Sequence, residues 1–110
     1  MIFVFGSNLA GIHGAGAALF AKRFYHAQIG TGIGRTGNAY ALPTKDENLN
    51  TLPLSSIEPY AKEFVQYAKD NPDLEFKLTR VGCGLAGYTD KDIAPMFKDA
   101  PSNVERPEGW

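Results

Sequence analysis

Two glycine-rich segments, FGSNLAGIHGAG at Phe5 to Gly16 and VGCGLAGY at Val81 to Tyr88, each directly follow a short apolar run with the pattern of a β-strand. Glycine concentrated where a strand gives way to a helix lets the backbone approach a ligand closely and aim several N–H groups at it. The pattern therefore points to alternating strands and helices, and to a phosphate-bearing or nucleotide ligand held between two loops.

The chain has 110 residues, 44% of them hydrophobic, which fits one small domain with a single modest core. A formal net charge of -1 argues against binding an extended nucleic acid through phosphate neutralisation, whereas a free nucleotide needs no basic excess. The single cysteine, Cys83, excludes an internal disulfide and a multi-cysteine zinc site and fits a reducing compartment, so a cytoplasmic protein is expected. MIFVFGSN carries neither a basic leader nor a long apolar run, so no signal peptide or membrane partner is expected.

Ile2 to Phe5 reads as a first strand buried on both faces. The alanine-rich stretch from Ala15 to Tyr25 reads as a helix starting near Gly14, with its start against the first glycine loop. Ile29 to Gly37 is a third glycine-rich stretch, Asn38 to Pro43 a second strand, and Thr44 to Pro53 an exposed polar loop. Ser55 with Glu58 forms the pattern of a capping box, and Ile57, Tyr60, Ala61, Phe64, Val65 and Ala68 recur at helical spacing until Asn71 and Pro72. Leu74 to Val81 alternates as a third strand, Asp90 caps a short helix through Phe97, and the tail ending in Trp110 reads as mostly irregular. This alternation implies a parallel sheet with right-handed crossovers, whose ligands gather beyond the carboxyl ends of the strands.

The first loop is neither a dinucleotide fingerprint, whose glycine spacing differs, nor a Walker loop, which needs G-K-[ST]. Asn8 can donate to and accept from a ribose, or satisfy its own loop. His13 can act as general base, phosphate contact or plain turn residue, the last two being favoured for a lone histidine. Cys83 reads as a small loop-filling residue, with nucleophilic catalysis as the minor alternative. Arg35, Lys45 and Arg80 are candidate partners for a diphosphate, Arg35 foremost because Thr31, Thr36 and Asn38 surround it in sequence. Asp46, Glu47, Asp90 and Asp92 follow strands or loops where a carboxylate can activate water, cap a helix or keep a loop solvated. Tyr88 is placed either to stack on a ligand ring or to pack over its loop. His13 and His26 lack acids or thiols in ligand spacing, so no metal and no cofactor are expected.

Taken together, the asparagine-containing first loop leading into an alanine-rich helix, GNAYALP at Gly37 to Pro43, and VGCGLAGY after the last strand resemble the macro domain family. The chain also looks like a group of small macro-like proteins of phages and bacteria, in which FVFGSNLAGIHGAGAA, TGNAYALPTKD and VGCGLAGY recur. The resemblance covers nearly the whole chain and implies a small three-layer α/β domain with a mainly parallel sheet and helices on both faces. It implies ADP-ribose or a related NAD-derived nucleotide as ligand. Gly6, Ser7, Asn8, Gly11, His13, Gly14 and Gly16 would line one side, Arg35 and Thr36 would add polar contacts, and Gly82, Cys83, Gly84, Leu85, Ala86, Gly87 and Tyr88 would form the opposing clamp. Asn8 corresponds to the asparagine at the distal ribose, and Gly14 and Gly16 to the glycines at the diphosphate. If the protein hydrolyses an ADP-ribosyl bond, Asn8 positions the ribose while His13 or Asp46 assists a water. The alternative is a phage protein that sequesters a nucleotide signal of host defence without turnover, and a third reading is an interaction module. The acid that recognises adenine in macro domains has no counterpart in MIFVFGSN, and the chain is shorter than usual for that family.

Overall fold

A computed structural model describes every residue from Met1 to Trp110. The elements run β1 (Ile2–Asn8), α1 (Gly16–Phe24), β2 (Gly34–Thr36), β3 (Ala39–Lys45), α2 (Leu54–Asp70), β4 (Phe76–Leu78), α3 (Asp90–Ile93), a 3-10 turn (Ala94–Phe97) and β5 (Val104–Glu105). The sheet order is β2-β3-β1-β4-β5. β1 pairs parallel to β3 and β4, β4 pairs parallel to β5, and only β2 joins antiparallel, so the sheet is mixed but mostly parallel.

Alternation along the central strand divides the apolar residues between two faces. Ile2 and Val4 join Tyr40, Leu42 and the apolar stripe of α2 (Ile57, Ala61, Phe64, Val65, Ala68), together with Ile93 and Phe97. Phe3 and Phe5 face the other way, against Ala39, Ala41 and the small residues Ala18 and Ala21 of α1. Phe64 anchors the larger cluster, its ring edge-on to Tyr40, Phe76 and Phe97 at centroid distances of 5.1, 5.4 and 6.2 Å.

The structure departs from the sequence reading at several elements. Ser55 does not cap α2: the helix starts at Leu54, and its N-cap, Pro53, has an extended backbone and no side-chain group to cap with. β4, expected over Leu74 to Val81, covers only Phe76–Leu78, and the N-cap of α3 is Thr89 rather than Asp90. The third glycine-rich stretch contains a short strand, Gly34–Thr36, that pairs along the edge of β3. The tail is mostly irregular, as expected, with Val104–Glu105 adding to β4, and Asn103 secures it with its amide nitrogen 3.0, 3.1 and 3.0 Å from the carbonyls of Ala68, Asn71 and Leu74.

The topology fixes where a ligand fits. From β1 the chain reaches β3 on one side of β1, then crosses through α2 to β4 on the other. Helical connections that leave on opposite sides of a strand open a crevice beyond its carboxyl end. Both glycine-rich loops, which follow β1 and β4, start at that edge, as does the end of β3 at Thr44 and Lys45.

Candidate functional site

That crevice is a cavity of about 750 Å³. Its walls are the end of β1 (Gly6, Ser7, Asn8), the start of α1 (Gly14 to Ala18), Thr44 and Lys45 from β3, and Thr79 to Ala86 beyond β4, with Ile12 and Leu49 added from neighbouring loops. Both glycine-rich segments therefore do meet over one space, contributed by three adjacent parallel strands.

The first turn of any helix leaves N–H groups without intrahelical partners. In α1, Gly16, Ala17 and Ala18 donate to nothing; Ala15 supplies no side-chain cap, and no acid lies in the first turn. Across the cavity, the N–H groups of Gly84, Leu85 and Ala86 are also unengaged, whereas Cys83, Gly87 and Tyr88 close their own turns on Arg80, Gly84 and Gly82. The charged side chains lining the cavity are Lys45 and Arg80, both cationic. Lys45 has no carboxylate within ion-pair distance; Arg80 is held by the Asp90 carboxylate at 2.8 Å and by the Glu108 carbonyl at 2.7 Å. Open N–H groups, the positive end of a helix and the unpaired Lys45 make the crevice suited to an anion.

The neutral polar side chains on the wall are turned into the fold. Ser7 donates to Gly32 O, Thr44 to Ser7 O, Thr79 to Val4 O and the Cys83 thiol to Val81 O. Asn8 grips its own loop from both sides, its amide nitrogen donating to Ile12 O at 2.8 Å and its oxygen accepting Ile12 N–H at 3.0 Å. One N–H of Asn8 remains for a ligand. Burial pushes the Cys83 thiol up to about 11, and the carboxylate of Asp90 adds to the effect, so the thiol that lines the wall stays protonated and is a poor nucleophile near neutrality.

Several residues expected at the site lie elsewhere. His13 is only 2% exposed and faces away from the cavity; its Nε2–H donates to Gln28 O at 2.9 Å, its ring stands edge-on to Phe5, and Nδ1 has no partner. Thr36 is buried too, its hydroxyl accepting the N–H of the same Gln28 at 2.8 Å. These two are the ends of one internal strut that clamps Gln28 between the first loop and β2. Arg35, the favoured diphosphate partner, lies on edge strand β2, where Nε donates to Gly37 O at 2.8 Å and Nη1 reaches the Tyr67 hydroxyl at 3.5 Å. Asp46 folds the loop after β3 on itself by accepting N–H from Asn48 and Asn50. Gly11 packs on Gly30 so closely that a Cβ would fall 2.4 Å from its carbonyl carbon. Tyr88 donates its hydroxyl to Leu52 O at 2.7 Å, and Gly87 lies beside it off the cavity wall. Of the expected residues, Gly6, Ser7, Asn8, Gly14, Gly16 and Gly82 to Ala86 do line the cavity.

Lys45 and Arg80, named as candidates from the sequence, also line the cavity, and Thr44 was legible in principle, because the residues ending a parallel strand next to the ligand edge face that edge. Leu49 carried a fainter signal, one of two leucines in the polar stretch TKDENLNTLP. No helix is long and apolar enough to cross a membrane. No family model, no curated protein and no solved structure matches the chain.

Proposed function

We propose that the chain binds ADP-ribose or a closely related NAD-derived nucleotide, with the diphosphate lodged between the start of α1 and Gly84 to Ala86. The observation that carries this reading is the backbone of the cavity: six unengaged N–H groups, at the start of α1 and at Gly84 to Ala86, belong to residues that line it together with the unpaired cation Lys45, Arg80 being already paired with Asp90. A volume of about 750 Å³ lies within the usual range for a small-molecule site. The resemblance of these same loops to those of macro domains points the same way, and the remaining N–H of Asn8 is suited to a ribose hydroxyl.

Capture is favoured over hydrolysis. A water attacking an anomeric carbon needs a base within hydrogen-bond reach. The two candidates, His13 and Asp46, are committed to internal hydrogen bonds away from the cavity, and the Cys83 thiol is held protonated. A protein that holds the nucleotide intact, as a sequestering protein would, fits the wall better than an ADP-ribosyl hydrolase.

The test is calorimetric titration with ADP-ribose, followed by chromatography of the mixture, on the native chain and on Gly84→Val. A Cβ at Gly84 meets no atom within 4 Å, so the variant keeps its fold while a branched side chain stands where phosphate must approach. Saturable binding by the native protein, at least about tenfold weaker in the folded variant and with intact ligand recovered, is expected. No heat from the native protein refutes the reading, and released product refutes the preference for capture.

A further inference from the structure

Three large apolar side chains that solvent reaches, Ile12 (49% exposed), Leu49 (46%) and Leu85 (72%), come from three separate loops and all line this one cavity. An anion alone gains nothing from them. Leu85 reaches across to the start of α1, its Cδ1 3.6 Å from the place a Cβ on Gly16 would occupy. Leu49 sits in the left-handed region at φ 65°, where asparagine or glycine is at home and leucine is strained. Holding an exposed leucine in a strained turn, beside a cationic cavity, is accounted for by an apolar ligand surface that it meets.

The same wall offers little with which to read the edge of a base. In the turn that carries Leu49, the N–H groups of Asn48 and Asn50 are held by the Asp46 carboxylate and that of Leu49 by the Asp46 carbonyl. The hydroxyls of Ser7, Thr44 and Thr79 have their protons committed to carbonyls of the fold, and Asn8 is tied to Ile12. The unengaged donors are the backbone groups at α1 and Gly84 to Ala86 with Lys45, which suit phosphate, and the one remaining N–H of Asn8, which the ribose takes in the reading above. Discrimination between bases comes from donors and acceptors placed against their edges, and an apolar clamp alone gives little of it.

Resting on the nucleotide reading above, we infer that the cavity selects for a base but not for which base: Ile12, Leu49 and Leu85 grip the faces of a heteroaromatic ring while the diphosphate is held separately, so the ligand class is nucleoside diphosphates and their sugar derivatives with a tolerated range of bases.

The experiment is a titration of the native protein and of Leu49→Asn with ADP, GDP and inorganic pyrophosphate, alongside ADP-ribose and a thermal melt of each protein. Adenine and guanine oppose donor and acceptor at the same ring position, which makes this pair a direct test of edge reading. Expected are ADP and GDP affinities within about threefold of each other, and pyrophosphate at least about tenfold weaker, from the apolar surface it lacks. Asparagine tolerates the left-handed backbone, so Leu49→Asn should melt no lower than the native chain while losing about five- to tenfold in affinity for both nucleotides and none for pyrophosphate. A preference above about tenfold for ADP over GDP overturns base tolerance. Pyrophosphate bound as tightly as ADP, or nucleotide binding unchanged in Leu49→Asn, overturns the clamp and leaves the anion site standing. Binding of none of these compounds, ADP-ribose included, overturns the nucleotide reading and this inference with it.

Discussion

His13→Ala separates a structural histidine from a catalytic one. The native imidazole is 2% exposed, and a carbonyl only accepts, so its 2.9 Å contact with Gln28 O fixes the proton on Nε2 and leaves Nδ1 a buried acceptor without a donor. Truncation removes that hydrogen bond, worth about 1 kcal/mol. It also leaves a void beside Phe5 costing about 2 kcal/mol, while the desolvation of the orphaned Nδ1, about 1 kcal/mol, is relieved. The net loss is about 2 kcal/mol, which for a chain of this size lowers the melting temperature by about 8 °C. Because His13 lies off the cavity but helps to hold the first loop, ADP-ribose affinity measured well below the melting range should fall by less than about tenfold. A variant that melts with the native protein yet loses tenfold or more in affinity, or abolishes a turnover the native chain shows, would refute the strut and return His13 to the ligand.

Two further expectations concern the periphery of the site and the fold. The Cys83 thiol, at about 11 against an ordinary 9.0, has about a hundredfold less thiolate than a free cysteine at pH 8, partly offset by greater intrinsic nucleophilicity; alkylation by iodoacetamide should run about tenfold slower than for unfolded protein and rise steeply above pH 9. A native rate equal to the unfolded one would show the thiol to be unprotected. Asn103→Asp should destabilise the fold more than Asn103→Ala in urea denaturation, because a carboxylate would face the carbonyls of Ala68, Asn71 and Leu74 that the amide now serves. The reverse ranking would mean that the amide is not what holds β5 in place.

What could be read from the sequence was whatever a local period or a glycine cluster announces. The stripe of Ile57, Ala61, Phe64, Val65 and Ala68 specified α2, and the apolar run at Ile2 to Phe5 specified the central strand. Gly34–Thr36 and Val104–Glu105 were not legible, since strands of three and two residues carry no alternation and exist because β3 and β4 offer them a partner. The two loops were legible as walls of one cavity, but the direction of their side chains was not. His13, Arg35 and Thr36 have the same polarity whether they meet a ligand or a carbonyl of Gln28 or Gly37, and only the three-dimensional path of the loop distinguishes these cases.

That inversion has a physical logic. A loop rich in glycine loses much conformational entropy when it is ordered, so something has to hold it. Here the polar side chains do so, with Asn8 closing on Ile12, Ser7 reaching Gly32 and His13 reaching Gln28, and the backbone N–H groups at α1 are left unengaged in a preset arrangement. Preorganised backbone donors bind an anion without the cost of ordering long side chains. It follows that a loss of affinity on changing Asn8 does not by itself assign a ligand contact, since the same change releases both bonds to Ile12 and lets the loop relax. Gly84, where an added Cβ meets no atom within 4 Å, reports on the cavity more directly.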